Sequence, residues 1–293
     1  MTGIGLKSFD HLIIAVRDLD AAEATYTRIL GRAPSWRGSH PEGGTANVLY
    51  RLANMYLELL SPVGEGFFAT GVRQHLETSG EGIFGIVLGI ENADAAAAGL
   101  RAAGLHPTGP QPGSGVDGRT GARREWRNVY LAPDETRGLF MFLIEHVSPA
   151  GALPAAALTE GVAAASAVEG LDHVVVMTPD PDGCRKLFGD VLGIRLALDH
   201  SKPEWGVRQL FFRTGGVTIE VVAPLDPEKQ PKTDHYWGLA WKTGDISGAG
   251  ERLRAAGANV SEVRTGRKKG TQVSTIRPET HGVPTLLIQQ PQI

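Results

Sequence analysis

Short apolar runs rich in β-branched residues punctuate the chain, and between some of them the apolar positions shift to helical spacing. HLIIAV, from His11 to Val16, is of strand length. Asp18 or Asp20 can then cap the helix AAEATYTRIL, which Gly31 ends with a residue that tolerates the left-handed conformation. NVLYRLA and MYLELLSP follow, two more strand-length runs around an Asn that suits a hairpin turn. The order strand, helix, strands returns in FGIVLGI, the helix ADAAAAGLRAAG, a Gly/Pro/Arg-rich excursion from Thr108 to Arg124, and the runs WRNVYLAP and GLFMFLIEH. QVSTIRP and VPTLLIQQ end the chain in the same style.

The pattern repeats residue by residue. FDHLIIAVRDLDAAEATYTRILG lies over LDHVVVMTPDPDGCRKLFGDVLG at an offset of 162, so that Asp10 meets Asp172, His11 meets His173 and Gly31 meets Gly193. The same register carries Pro41-Glu42 onto Pro203-Glu204, Arg51 onto Arg213, Glu58 onto Glu220 and Pro62 onto Pro224. FGIVLGIENADAAAAGLRAAG then lies over WGLAWKTGDISGAGERLRAAG, but at an offset of 153. Such self-similarity marks a duplicated architecture, here with the order A, B, A′, B′. An Ala/Gly/Ser-rich stretch, poor in large apolar residues, separates the copies. The expected organisation is a first domain over 1–149, a linker over 150–168 and a second domain over 169–293.

Composition narrows the function classes only a little. A chain of 293 residues, 42% hydrophobic and 21% charged, has the balance of a globular protein. Its net charge of −3 favours neither nucleic acid nor an anionic membrane as partner. One cysteine, Cys184, excludes an intramolecular disulfide framework and suits a reducing compartment. No apolar run is long enough to span a bilayer, and the expected location is cytoplasmic. Strand edges make a homodimer an expectation as well.

Four strand-helix-strands modules, with His in the opening strand and Glu in the closing strand of A and A′, resemble the vicinal oxygen chelate superfamily of glyoxalase I, bleomycin-resistance proteins and extradiol dioxygenases. The stretch SHPEGGTANVLYR…YLELL is similar to glyoxalase-like domain proteins in particular. The resemblance covers nearly the whole chain and implies an α+β fold of four βαβββ modules forming two cupped sheets. It also implies a divalent metal (Fe, Mn, Zn or Ni) held by His11 and Glu58 in the first half and by His173 and Glu220 in the second. In B and B′ the opening position holds Gly85 or Gly238, and the closing position Phe142 or Leu286, so the remaining family ligands are missing. The glycines read either as simple losses or as space cleared for a bulky ligand.

Other side chains are candidates to complete these half-sites. His40 precedes Glu58 in the first half and has Lys202 as its counterpart; with Glu58 or Glu220 it is a candidate acid or base. Against this stands the plainer reading that a loop His beside Pro is solvated. Asn47, Tyr236, His146 and Arg123 are candidate substrate contacts. His146 and Gln290 lie four residues beyond Phe142 and Leu286 on the same strand face, and Tyr236 shares the face of Gly238. The basic excursions, with Arg119, Arg123 and Arg124 in one copy, can close over a carboxylate or phosphate or remain solvated loop tips. Cys184, in a predicted helix, reads as packing. The activity implied is a metal-dependent isomerase or lyase working on a small oxygenated or carbonyl compound through an enediolate-like state. Two alternatives remain at this point: an Fe(II) ring-cleaving dioxygenase of a catechol or hydroquinone, and a non-catalytic small-molecule-binding or resistance protein.

Overall fold

The computed structural model describes residues 4–291, and it is an α+β protein of two tandem glyoxalase-type domains. The chain opens with β1 (Leu6–Ala15), α1 (Leu19–Leu30), β2 (Trp36–His40), β3 (Thr45–Arg51) and β4 (Tyr56–Pro62). Asp18 caps α1 by accepting from the backbone N–H of Asp20 and Ala21, and Gly31 ends it at φ +65°. A helix, α2 (Phe67–Thr78), leads to β5 (Gly82–Ile90), α3 (Ala93–Ala102), β6 (Thr108–Asp117), β7 (Arg123–Tyr130) and β8 (Met141–His146). The second half contains β9 (Val168–Met177), α4 (Pro181–Arg185), β10 (Arg195–Lys202), β11 (Val207–Thr214) and β12 (Val217–Pro224). It finishes with β13 (His235–Thr243), α5 (Ile246–Ala255), β14 (Asn259–Val260), β15 (Arg264–Thr265), β16 (Gln272–Arg277) and β17 (Thr285–Gln289).

The two sheets differ in one respect that decides where a ligand fits. The first closes into a barrel in the order β1-β4-β3-β2-β6-β7-β8-β5, whereas the second stays open, with β10 at one end and β14 at the other. Closure comes from β2 pairing with β6 at Gly38↔Asp117 and Ser39↔Val116. A Cβ on residue 38 would stand 2.4 Å from the Val116 carbonyl oxygen, so only glycine permits that approach. The repeat puts His200 at this position in the second half, and there the counterpart of β6 is broken into the short β14 and β15.

Strand alternation divides the apolar residues between two layers. Leu12 and Ile14 of β1 join a core that also holds Val174 and Val176 of β9, so one apolar layer runs through both halves. Ile13 and Ala15 face the other way, into the barrel, with Val87, Phe142 and Ile144. Polar contacts tie the halves further: the Asn54 amide donates to the carbonyls of Leu171 (2.8 Å) and Gly216 (3.2 Å) and accepts from the Leu171 N–H (3.1 Å). Arg137 pairs with the buried Asp234 at 2.6 Å. The Ala-rich stretch packs on the first half, where Ala156 donates to the Arg51 carbonyl and Ala157 accepts from Ala33.

Cys184 lies in this packed region, fully buried, with its thiol against Asp234 Oδ2 at 3.3 Å. Burial pushes the thiol up to about 12, and the neighbouring Asp234 carboxylate adds to the rise. Thiolate is the reactive form, so at pH 8 the native protein is expected to react with a disulfide reagent orders of magnitude more slowly than a free thiol. One equivalent should react promptly on unfolding in guanidinium. A fast native reaction, followed by absorbance, would count against this packing.

Candidate active site

Registers set the four closing positions in equivalent places. Glu58 lies opposite Ile13, two residues beyond His11; Glu220 lies opposite Val175, two beyond His173. Phe142 lies opposite Val87, two beyond Gly85, and Leu286 opposite Ala240, two beyond Gly238. Gly85 does not clear room for a ligand: a Cβ there would meet the Phe140 carbonyl oxygen at 2.7 Å and its ring at 2.5 Å. At Gly238 the Pro284 carbonyl oxygen, 2.6 Å from such a Cβ, takes the space in the same way. Both glycines serve a close approach of neighbouring backbone.

The barrel encloses a cavity of about 850 Å³ lined by His11, Glu58, His40, Asn47, Arg124 and a broad apolar wall. His11 is buried, stacked on Tyr56 with ring centroids 4.3 Å apart. Its Nδ1 lies 2.8 Å from Asp10 Oδ1, and its Nε2 points at Glu58 Oε2, 3.5 Å away. Glu58 Oε1 accepts from the Asn47 amide at 2.8 Å. Each of the two groups is therefore oriented by a neighbour on its far side, which leaves Nε2 and Oε2 facing one another. Burial alone would lower His11, but the hydrogen bonds and charges of Asp10 and Glu58 outweigh it and raise the imidazole above its ordinary value. Burial likewise opposes ionisation of Glu58, yet His11, His40 and Asn47 hold the carboxyl below the usual range.

His40 sits on the same wall. Its Nδ1 is 3.0 Å from Thr45 Oγ1, its Nε2 is 3.4 Å from the Asn47 amide nitrogen, and its ring meets Trp126 edge-on at 5.9 Å. Burial lowers it, and the nearby His11 and Arg124 push the same way against Glu58, so the imidazole is neutral at pH 7. His146 stands behind the site: its Nε2 contacts Asp10 Oδ2 at 2.9 Å, so it reaches the cavity only through Asp10 and His11. Arg123 lies at the rim and is engaged by Glu125 (3.1 Å) and Ser114 (3.3 Å). The next residue, Arg124, is the inward-facing one. Tyr236 lines no part of this cavity; its hydroxyl donates across the halves to the Phe140 carbonyl at 3.2 Å.

The second half repeats the arrangement without the enclosure. His173 Nδ1 contacts Asp172 at 2.9 Å, its Nε2 lies 3.6 Å from Glu220 Oε2, and Gln209 donates to Glu220 Oε1. Gln290 replaces His146 on Asp172, Lys202 replaces His40, and Thr218 stands where Tyr56 does. The chain does not bring the two His-Glu pairs into one set; each belongs to its own sheet. Among the described residues no group of three or more His, Cys, Asp or Glu side chains converges as a metal site.

A divalent ion nevertheless fits each pair as a two-residue half-site. Nε2 and Oε2 at 3.5 Å are spaced as neighbouring ligands around one ion, and both carry the outer hydrogen bonds that orient ligands of that kind. Sequence reasoning missed Asp10, Trp36, Tyr56 and Trp126 as parts of this site. The Asp-His pair in both copies was a usable signal for Asp10, while the aromatic residues gave none before the barrel closed around them.

Among the described residues no helix is long and apolar enough to cross a membrane. In sequence, 111 residues are 33% identical to ethylmalonyl-CoA/methylmalonyl-CoA epimerase of Cereibacter sphaeroides, covering 38% of this chain and 81% of that protein. Human mitochondrial methylmalonyl-CoA epimerase is 31% identical over 138 residues, 47% of this chain and 73% of that protein. In structure, a variant of 4-hydroxymandelate synthase from Streptomyces coelicolor superposes with a TM-score of 0.68 at 15% identity, over 99% of this chain and 94% of that one. A Mn(II)-bound glyoxalase from Novosphingobium aromaticivorans gives 0.62 at 15% identity, over 98% and 83%. At these identities the two superpositions speak for the fold alone. Residues 172–275 match the glyoxalase/bleomycin resistance protein/dioxygenase superfamily. Residues 9–169, more than half of the chain and the part that builds the barrel and its His-Glu pair, match the glyoxalase-like domain, and the protein belongs to that family.

Proposed function

We propose that the protein is a metal-dependent isomerase or lyase of the glyoxalase-like kind, moving a proton at a carbon beside a carbonyl of a small oxygenated compound. The barrel of the first half is the working cup. The observation that carries this reading is the buried His11–Glu58 pair, lining the barrel cavity with Asp10 and Asn47 fixing its outer atoms. The relatives that are epimerases support a proton-transfer reaction over an oxidation. With Phe142 at the position of a further family ligand, the pair falls short of the two-His-one-carboxylate set of iron oxygenases.

His11 and Glu58 would hold the ion, and a divalent metal bound there supplies Lewis acidity to the substrate carbonyl. His40 does the proton work. A neutral imidazole in the cavity wall, with Nδ1 turned to Thr45, keeps Nε2 as an acceptor whose long 3.4 Å contact with the Asn47 amide gives way to a substrate proton. Asn47 bridges the two functions, since its amide touches both Glu58 and His40. The apolar wall and the aromatic residues of α2 keep water from the abstracted proton: Phe67 and Phe68 line the mouth, and Ala69, Val72 and Leu76 anchor the helix beneath them.

The test is incubation of the metal-loaded protein in D2O with methylmalonyl-CoA and with a panel of small α-hydroxy carbonyl compounds, followed by mass spectrometry. Deuterium entering the position beside the carbonyl is expected for at least one compound. His40→Gln should slow that exchange about 10²- to 10³-fold while leaving the bound metal in place. Exchange that is unchanged in His40→Gln removes His40 from the reaction. No exchange with any compound, by protein shown to hold metal, sinks the proton-transfer reading.

A further inference from the structure

Arg124 is a buried charge without a countercharge. It is only 6% exposed, and among the described residues no carboxylate lies within ion-pair distance of its guanidinium. Three rings surround it instead, with the guanidinium carbon 5.5 Å from the Tyr56 centroid, 5.7 Å from Trp36 and 5.9 Å from Trp126. The repeat supplies no equivalent box in the second half, where Leu198 stands at the place of Trp36 and Thr218 at that of Tyr56.

A guanidinium always carries its charge, and aromatic faces recover only part of the solvation it loses on burial. Its planar fork matches a carboxylate through two parallel hydrogen bonds. Tyr56 stacks on His11 with its ring centroid 4.3 Å away and also faces Arg124, so one aromatic ring separates the cation from the His-Glu pair. Most of the remaining wall is apolar, with Ile13, Leu49, Leu60 and Phe142.

We propose that the substrate is a carboxylate with an apolar body, and that Arg124, boxed by Trp36, Tyr56 and Trp126, receives its carboxylate while the adjacent carbon skeleton reaches His11 and Glu58. This rests on the placement of the reaction in the first-half cavity. Arg124 is then a binding group that sets which end of the substrate faces the reacting pair.

The probes are butanoate, hexanoate and phenylacetate, their neutral amides, and phenyl phosphate, titrated by calorimetry into the full-length protein with tryptophan fluorescence as a second readout. The acids are expected to bind about tenfold or more tighter than the amides. Arg124→Gln should cost the acids about 30-fold and leave the amides unchanged. Should Arg124→Gln fail to fold, Arg124→Lys carries the test: it keeps the charge without the fork, and acid affinity should fall about tenfold with the amides unmoved. The proposal is overturned if acids bind no tighter than amides, if neither variant weakens them, if no acid binds at millimolar concentration, or if phenyl phosphate outbinds every acid. Glu58→Gln separates this claim from the reaction itself, because it removes a metal ligand and a cavity anion yet should retain or tighten acid binding. If acids respond to Arg124 while metal binding and deuterium exchange fail, the subsite stands and the proton-transfer reading falls; the reverse pattern drops the subsite alone.

Discussion

Glu58→Gln is expected to abolish metal retention by the first half and to lower turnover about 10³-fold, with little change in fold. The carboxylate is the one anionic atom pair that faces His11 Nε2, and an amide of the same shape keeps the contact with Asn47 only in part. Elemental analysis after dialysis, paired with the deuterium-exchange assay, checks both halves of the expectation. His11→Ala should act in the same direction, whereas His173→Ala should leave exchange intact, since its pair with Glu220 lies on the open sheet. Equal loss of exchange from His11→Ala and His173→Ala, in proteins that remain folded by circular dichroism, would remove the assignment of the first half as the working cup. Retention of metal and full exchange by Glu58→Gln would remove Glu58 from the site altogether.

Gly38→Val is expected to destabilise the protein by about 3 kcal/mol and to open the barrel along the seam between β2 and β6. The new side chain would begin 2.4 Å from the Val116 carbonyl oxygen and from Trp36 Nε1, so either the strands part or the tryptophan turns out of the cavity. Trp36 forms one wall of the box around Arg124, and His40 packs on Trp126 across the same seam, so ligand affinity should fall together with stability. Denaturant titration followed by tryptophan fluorescence gives the first quantity and phenylacetate titration the second. A variant with the parent's midpoint and the parent's affinity would show that closure does not depend on this glycine.

Much of the architecture was legible because the chain carries one pattern twice. The constant offset from Phe9 to Pro62 put His11 over His173 and Glu58 over Glu220 before any geometry was known, and the strand registers place both glutamates two residues beyond the opening histidine. The fall of the offset from 162 to 153 marked nine extra residues in the first half, and they correspond to the stretch that folds into α2 at the cavity mouth. Helix caps were local matters of one side chain and one backbone conformation, and Asp18 and Gly31 fill them.

What pattern reasoning did not reach depends on one-residue parity or on contacts between distant segments. Arg123 and Arg124 are equivalent in composition, and only the pleat of β7 turns the first to the rim and the second into the cavity. Of the two readings of Gly85 and Gly238, space cleared for a bulky ligand fails, because Phe140 and Pro284 occupy the space beside them. Tyr236 was placed on a cup's inner face, and a shift in register between Tyr236 and Gly238 accompanies its turn towards the first half instead.

The internal repeat and the α+β grammar can be read from the chain, because self-similarity and local periodicity need no distant contact, and the resemblance to a known family pointed to the His and Glu residues. The tertiary structure alone decided that one sheet closes and the other stays open, since closure turns on whether two strands far apart in the chain approach within a hydrogen bond at Gly38. That same long-range pairing assembles Trp36 from β2, Tyr56 from β4 and Trp126 from β7 around Arg124, a convergence that no local pattern encodes.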